Sequence, residues 1–317
     1  MSQPLTHALR LCTALLVLLS AHAGAQSMAY VPNERSGTIS IIDTRTDEVV
    51  GNIPGVNRPR GLAASRDGRQ LYVTSQPRSL VVIDLAARSI LSSVAIGDSP
   101  EGMTVSPDGR WAAVAVEDTQ SVVFVDTEAA KVAGEVKVQG KNPEHAVFSP
   151  DGAWLYVSAE DGSTIDVIDA ASRQQVGAIT VGRRPRGIAF TPDSRVAYVA
   201  CEIDSTIYAI DTAKRSVIAT IKGGEFTNGV AMRPDGQRVY VSNGRSGTVS
   251  VIDTATNQVV ATIPVGQRPW NMALTPDGAK LYVANGRSNS VSVIDTAENR
   301  KVKDIPVGEL PWGVAIP

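Results

Sequence analysis

Seven tripeptides on the pattern Pro-x-Gly hold most of the residues in this chain that could do chemistry. They are Pro59-Arg60-Gly61, Pro100-Glu101-Gly102, Pro143-Glu144-His145, Pro185-Arg186-Gly187, Thr227-Asn228-Gly229, Pro269-Trp270-Asn271 and Pro311-Trp312-Gly313. The proline fixes φ and the glycine lets backbones approach closely, so both are structural. The middle residue varies, and function would be written there: Arg60, Glu101, Glu144, Arg186, Asn228, Trp270 and Trp312. Indole planes beside guanidinium donors suit a small planar anionic ligand, or a carboxylate presented by a partner protein. Arg58, Arg183, Arg184 and Arg268 add further donors nearby. The alternative is internal: tryptophans that plug a channel, and arginines that pair with Glu101 and Glu144. His145 stands where most of the tripeptides have glycine. It could be an axial ligand or a general base beside Glu144; equally, it could fill space that glycine leaves empty. No Ser-His-Asp order, Cys-x-x-Cys pair, His-rich metal cluster or c-type haem motif occurs, so neither a catalytic set nor a metal is expected.

The elements that position these residues follow from a repeat of about 42 residues. Ile-Asp or Val-Asp pairs place Asp43, Asp84, Asp126, Asp169, Asp211, Asp253 and Asp295 at intervals of 41 to 43 residues. Turns of the Pro-Asp-Gly kind recur around Asp67, Asp108, Asp151, Asp193, Asp235 and Asp277, in the same phase. Each unit reads as four short strands; in the second they are 61–65, 70–75, 80–84 and 90–96. Such a unit cannot bury both faces alone, and radial stacking buries them against neighbours. The expected fold is all-β: a seven-bladed β-propeller of four-stranded antiparallel blades. The first blade takes residues 29–54 plus 311–317, so the last strand closes the ring, and the others start at 59, 100, 143, 185, 227 and 269. The seven tripeptides then lie at the mouth of the central channel. Aspartates that head turns cap backbone N–H groups and need no metal to explain them.

Residues 1–25 read as a cleaved signal peptide: Arg10, an apolar run over 11–19, then small residues. That run is too short for a membrane span. The remainder, 26–317, is one domain, expected in the periplasm or outside the cell and expected to be a monomer. Cys201, the one cysteine outside the leader, has no disulfide partner and reads as a buried small hydrophobe. A formal net charge of −2 opposes nucleic-acid binding. The loops after the second strands are lopsided. Glu117-Asp118, Glu160-Asp161, and Glu202 with Asp204 make an acidic sector, while Arg35, Arg78, Arg245 and Arg287 make a basic one. This pattern fits a solvated surface, or one that orients a charged protein partner.

The unit P-x-G, S-P-D-G, LYVAN and V-I-D-T resembles the YVTN family of β-propeller proteins, with its best copies at 227–268 and 269–310. WAAVA at 111–115 and Thr227 depart from it. The resemblance implies the propeller fold and leaves function open, since such propellers include binding modules, surface proteins and domains of redox enzymes. The length, the leader and the closing Pro311-Trp312-Gly313-Val314 are similar to periplasmic propellers associated with pyrroloquinoline-quinone-dependent alcohol catabolism. That similarity implies a non-catalytic binding or scaffold role beside a quinoprotein dehydrogenase, with no cofactor of its own. Two rivals stand beside it. One is a cofactor-handling redox propeller, like those that hold haem d1, taking a tetrapyrrole or quinone and using His145. The other is a lactone hydrolase dependent on Glu101 or Glu144.

Overall fold

The computed structural model describes residues 27–317. The proposed signal peptide, residues 1–25, lies outside them. Among the described residues the chain forms twenty-seven strands, arranged as six four-stranded antiparallel sheets and one three-stranded sheet. No helix among them is long and apolar enough to cross a membrane. The second blade is typical, with strands Pro59–Ala64, Gln70–Ser75, Ser79–Asp84 and Ser89–Ala95 in sequence order. Its first strand starts two residues before the expected position, because Pro59 already faces Ser75 across a register shift that ends at Leu62. A one-residue shift recurs in each of the other four-stranded blades, ending one position earlier, at His145, in the blade that starts at Pro143, so the tripeptide is a bulge at the head of the strand.

Turn chemistry sets the phase. In Ser65-Arg66-Asp67-Gly68 the serine Oγ donates to Asp67 Oδ1 at 2.6 Å, Arg69 N donates to the same oxygen at 3.1 Å, and Gly68 takes φ +67°. The Ile-Asp aspartates cap the next turn; Asp84 Oδ1, for instance, accepts Ala87 N–H at 2.7 Å.

Packing runs between blades rather than within them. The buried apolar side chains among the described residues fall into seven clusters, each shared by two adjacent sheets. One joins Ala29, Val31 and Ile42 of the first sheet to Tyr282, Val291 and Val293 of the last, together with Val314. Fully burying a side chain of this size stabilises by about 1.5–3 kcal/mol, so the blade interfaces dominate stability. Residues 311–317 lie against the strand Met28–Asn33 as an innermost strand does elsewhere. Tyr30 and Ala315 exchange backbone hydrogen bonds at 2.8 and 3.0 Å, and Trp312 N donates to Pro32 O at 3.0 Å. Cys201 is free and fully buried, and burial pushes its thiol up to about 12.

Candidate functional site

The first strand of each blade runs down the channel wall from the tripeptide at its head. The middle residues of all seven tripeptides, Arg60, Glu101, Glu144, Arg186, Asn228, Trp270 and Trp312, line one cavity of about 320 Å³ at the channel mouth. A second ring completes it. The residue that follows the second strand turns toward the same space in Glu34, Glu117 and Glu160, all of which line the cavity. Glu202, at the equivalent position, is 1 % exposed. A solvated surface was one reading of these acidic loops, and the geometry corrects it. Glu160 and Glu202 are drawn inward to arginines and Glu117 accepts from Ser99 Oγ at 2.9 Å, while Asp118 and Asp161 stay outside. In the last two blades the second ring has glycine instead. A Cβ on Gly286 would sit 2.6 Å from the Trp270 ring, and one on Gly244 would sit 3.2 Å from Arg268 Nη1. Gly286 thus makes room for an indole, and Gly244 for a guanidinium.

The arginines pair internally, as the second reading of the sequence required. Arg186 reaches Glu144 at 2.5 Å, Glu202 at 3.0 Å and Glu160 at 3.3 Å. Arg60 bonds Glu101 and holds Glu34 at 3.1 Å, and Arg58 reaches Glu34 at 2.8 Å. Arg184 bonds Glu160, and Arg268 meets Glu202 at 2.6 Å. Burial and the nearby charge of Glu144 push Glu101 up to about 9, against the pull of Arg60. The same two causes push Glu160 to about 7 and raise Glu117. Burial also works against ionisation of Glu144, but Arg186, His145 and Arg60 outweigh it and hold that carboxyl below its usual range. Arg186 is held above its ordinary value by Glu144, Glu160 and Glu202, despite its burial. At neutral pH the mouth therefore holds ionised arginines beside a Glu101 carboxyl that keeps its proton, and both kinds of group donate hydrogen bonds.

Carboxylate oxygens of Glu117, Glu144 and Glu160 lie within 4.8 Å of one another, a spacing that could hold a cation. The Arg186 guanidinium already touches two of the three, Glu144 and Glu160.

His145 is not part of the charged mouth. Its ring stacks on Trp312 with centroids 5.5 Å apart and planes 21° from parallel, and the two residues come from blades on opposite sides of the axis. Burial keeps the imidazole below its usual range, with Glu144 and the nearby Asn271 side chain opposing, and neither buried ring nitrogen meets a partner at hydrogen-bond geometry. The stack divides the channel. Beneath it lies a smaller cavity of about 180 Å³, lined by Leu62, Met103, Val147, Ile188, Met272 and Val314 among others. Axial ligation by His145 would require the stack to open.

Sequence reasoning did not find Glu34, Asn142 or Asn271, which also line the mouth. For Glu34 a signal was available: it follows its strand at the same register as Glu117, Glu160 and Glu202. Asn142 precedes its tripeptide at the register of Arg184 and Arg268, and Asn271 stands where most tripeptides have glycine.

Two family models match the chain. "Lactonase, 7-bladed beta-propeller" matches residues 169–306, and "YNCE-like beta-propeller" matches residues 19–108. The first match leaves out Glu101 and Glu144. Seven-bladed beta-propeller protein Rv1057 of Mycobacterium tuberculosis is 28% identical over 118 residues, covering 35% of this chain and 30% of that protein. The hydrazine synthase of Kuenenia stuttgartiensis is 26% identical over 84% of this chain and 92% of the matched chain, with a TM-score of 0.78. Dihydro-heme d1 dehydrogenase NirN is 18% identical over 90% of this chain and 74% of its own, with a TM-score of 0.70, a likeness of fold alone. Seven sheets in a ring, a repeat in seven copies and these matches agree that the chain is a seven-bladed β-propeller protein.

Proposed function

We propose that this chain is a non-catalytic binding propeller, exported to the periplasm, that takes a small planar polycarboxylate at the channel mouth as an accessory to a quinoprotein dehydrogenase. One observation carries the reading: a cavity of about 320 Å³ has Trp270 and Trp312 as planar walls and Arg60, Arg184, Arg186 and Arg268 as donors. That volume is at the small end of ligand pockets, which run from about 300 to 1,000 Å³. Guanidiniums bind carboxylates in a bidentate fork, and indoles stack on flat rings. The protonated Glu101 adds a donor, where an ionised carboxylate would repel an anion. Among the described residues that line the mouth there is no Ser, Thr, Cys, Lys, Tyr or His, so no side chain there offers an activated hydroxyl, thiol, amine or imidazole.

The test is a tryptophan-fluorescence titration with pyrroloquinoline quinone as the probe, for the chain from residue 26 onward. Saturable quenching should appear in the unsubstituted protein and weaken at least tenfold in Trp270→Ala and in Arg184→Gln. A small lactone should show no turnover above buffer. Equal quenching in all three proteins, or lactone turnover lost in Glu101→Gln, overturns the proposal.

A further inference from the structure

The loops after the second strands carry a repeated tetrapeptide in three neighbouring blades: Glu34-Arg35-Ser36-Gly37, Gly244-Arg245-Ser246-Gly247 and Gly286-Arg287-Ser288-Asn289. In two of the three the arginine faces an acid from the loop that leads into an adjacent tripeptide. Arg35 approaches Glu309 at 3.8 Å and Arg245 approaches Glu225 at 3.5 Å. In the third, Gln267 stands where the acid would be, and Arg287 has no carboxylate partner among the described residues. The next position departs as well. Where the other two loops have Phe226 and Leu310, this one has Arg268.

These departures converge on one groove. Arg245, Arg268 and Arg287 line an open cavity of about 850 Å³ between the last two blades, and no carboxylate lines it. Ser246 Oγ accepts Glu225 N–H at 2.9 Å and Ser288 Oγ accepts Gln267 N–H at 2.7 Å, which orients both hydroxyls and leaves their protons to donate. The Arg245–Glu225 pair is 67% exposed on both sides, a geometry worth little to either partner and readily exchanged. Phe226 and Val265 give the same groove an apolar floor.

We propose that this groove is a second binding site, for a phosphate-type oxyanion carried on a small organic molecule. Guanidinium forks and serine hydroxyls match the oxygens of a phosphate. A cavity of about 850 Å³ has room for an organic body, and Phe226 and Val265 offer it an apolar surface. The site uses neither Trp270 nor Trp312; it shares Arg268 with the mouth, but Arg245 and Arg287 line the groove alone, so a loss confined to Arg287→Gln separates this site from the reading of the mouth.

Calorimetric titration with phenyl phosphate at low ionic strength tests it, with inorganic phosphate as a second probe. One molecule should bind per chain. Affinity should fall at least tenfold in Arg287→Gln, and stay within twofold in Trp312→Ala and in Arg78→Gln, whose arginine already pairs with Asp98 at 2.9 Å. Tighter binding of phenyl phosphate than of inorganic phosphate supports the organic body; equal binding overturns that part. No saturation with either probe, or equal affinity in Arg287→Gln, overturns the site. Arg287 is exposed, so thermal melts of its variant should match the unsubstituted protein and separate lost binding from lost folding.

Discussion

Glu101 shows how a single side chain in the mouth couples charge to stability. Its carboxyl is buried, pushed up to about 9, and bonded to Arg60. In the unfolded chain it titrates near 4.3. Between these values the folded state binds more protons, so stability falls as pH rises toward 9. Below about pH 6.5 His145 has the opposite sign, because its imidazole is held below the usual range in the folded protein. Glu160, at about 7, is half titrated at neutrality, and Cys201, pushed up to about 12, loses its proton at about pH 8.5 only in the unfolded chain. The window from pH 7 to pH 9 therefore carries all three groups with one sign, and the variant separates the share of Glu101. Urea unfolding should show stability decreasing across it, and Glu101→Gln should flatten that slope. An unchanged slope in the variant would place the effect elsewhere. At this scale the sequence marked the middle residues of the tripeptides because they vary most within a nearly fixed frame. It did not reveal which arginine meets which acid, since Glu34 and Arg60, or Glu202 and Arg268, are brought together only by blade geometry.

The element that makes the mouth is the innermost strand with its leading tripeptide. Adjacent first strands approach so closely at the glycine that a side chain would strike backbone. A Cβ on Gly187 would lie 2.7 Å from Asn228 O and 2.8 Å from Val230 N, whereas one on Gly313 would meet Asn271 Cβ at 3.2 Å. Overpacking of a rigid site costs about 1–3 kcal/mol. Gly187→Ala should therefore lower the melting temperature clearly, and Gly313→Ala by less; the reverse order in differential scanning calorimetry would contradict this packing. A second feature of the element was hidden. The residue before each tripeptide, Arg58, Ser99, Asn142, Arg184, Phe226, Arg268 and Leu310, takes a positive φ between 42° and 60°. This left-handed turn aims the strand into the channel. Glycine or asparagine would have signalled it, and only Asn142 has such a type. The four-strand unit was legible because turn residues and alternating burial repeat together. The strand ends shifted by one or two residues because bulges move the pairing start without changing residue type.

The whole molecule is a ring whose closure also builds the site. Residues 311–317 pair with the strand Met28–Asn33, place Gly313 between Asn271 and Leu62 of the flanking blades, and bring Trp312 over His145. Deleting 311–317 removes several inter-strand hydrogen bonds and the buried Val314, and exposes an inner sheet edge. We expect a loss of about 5 kcal/mol or more, from Val314 and Ala315 burial together with the hydrogen bonds, read as a melting temperature lower by about 10 °C or more. A truncated chain that melts like the full one would contradict closure. At this scale the sequence was most informative, because seven copies at a constant interval leave one architecture that buries every blade. The proposed function rests on the mouth as a ligand site. A crystal structure of the chain grown with pyrroloquinoline quinone tests it most directly. The planar ring should lie against Trp270 or Trp312, with its carboxylates on the arginines that line the mouth. A mouth that stays empty at saturating quinone, or a ligand bound only elsewhere, would contradict it.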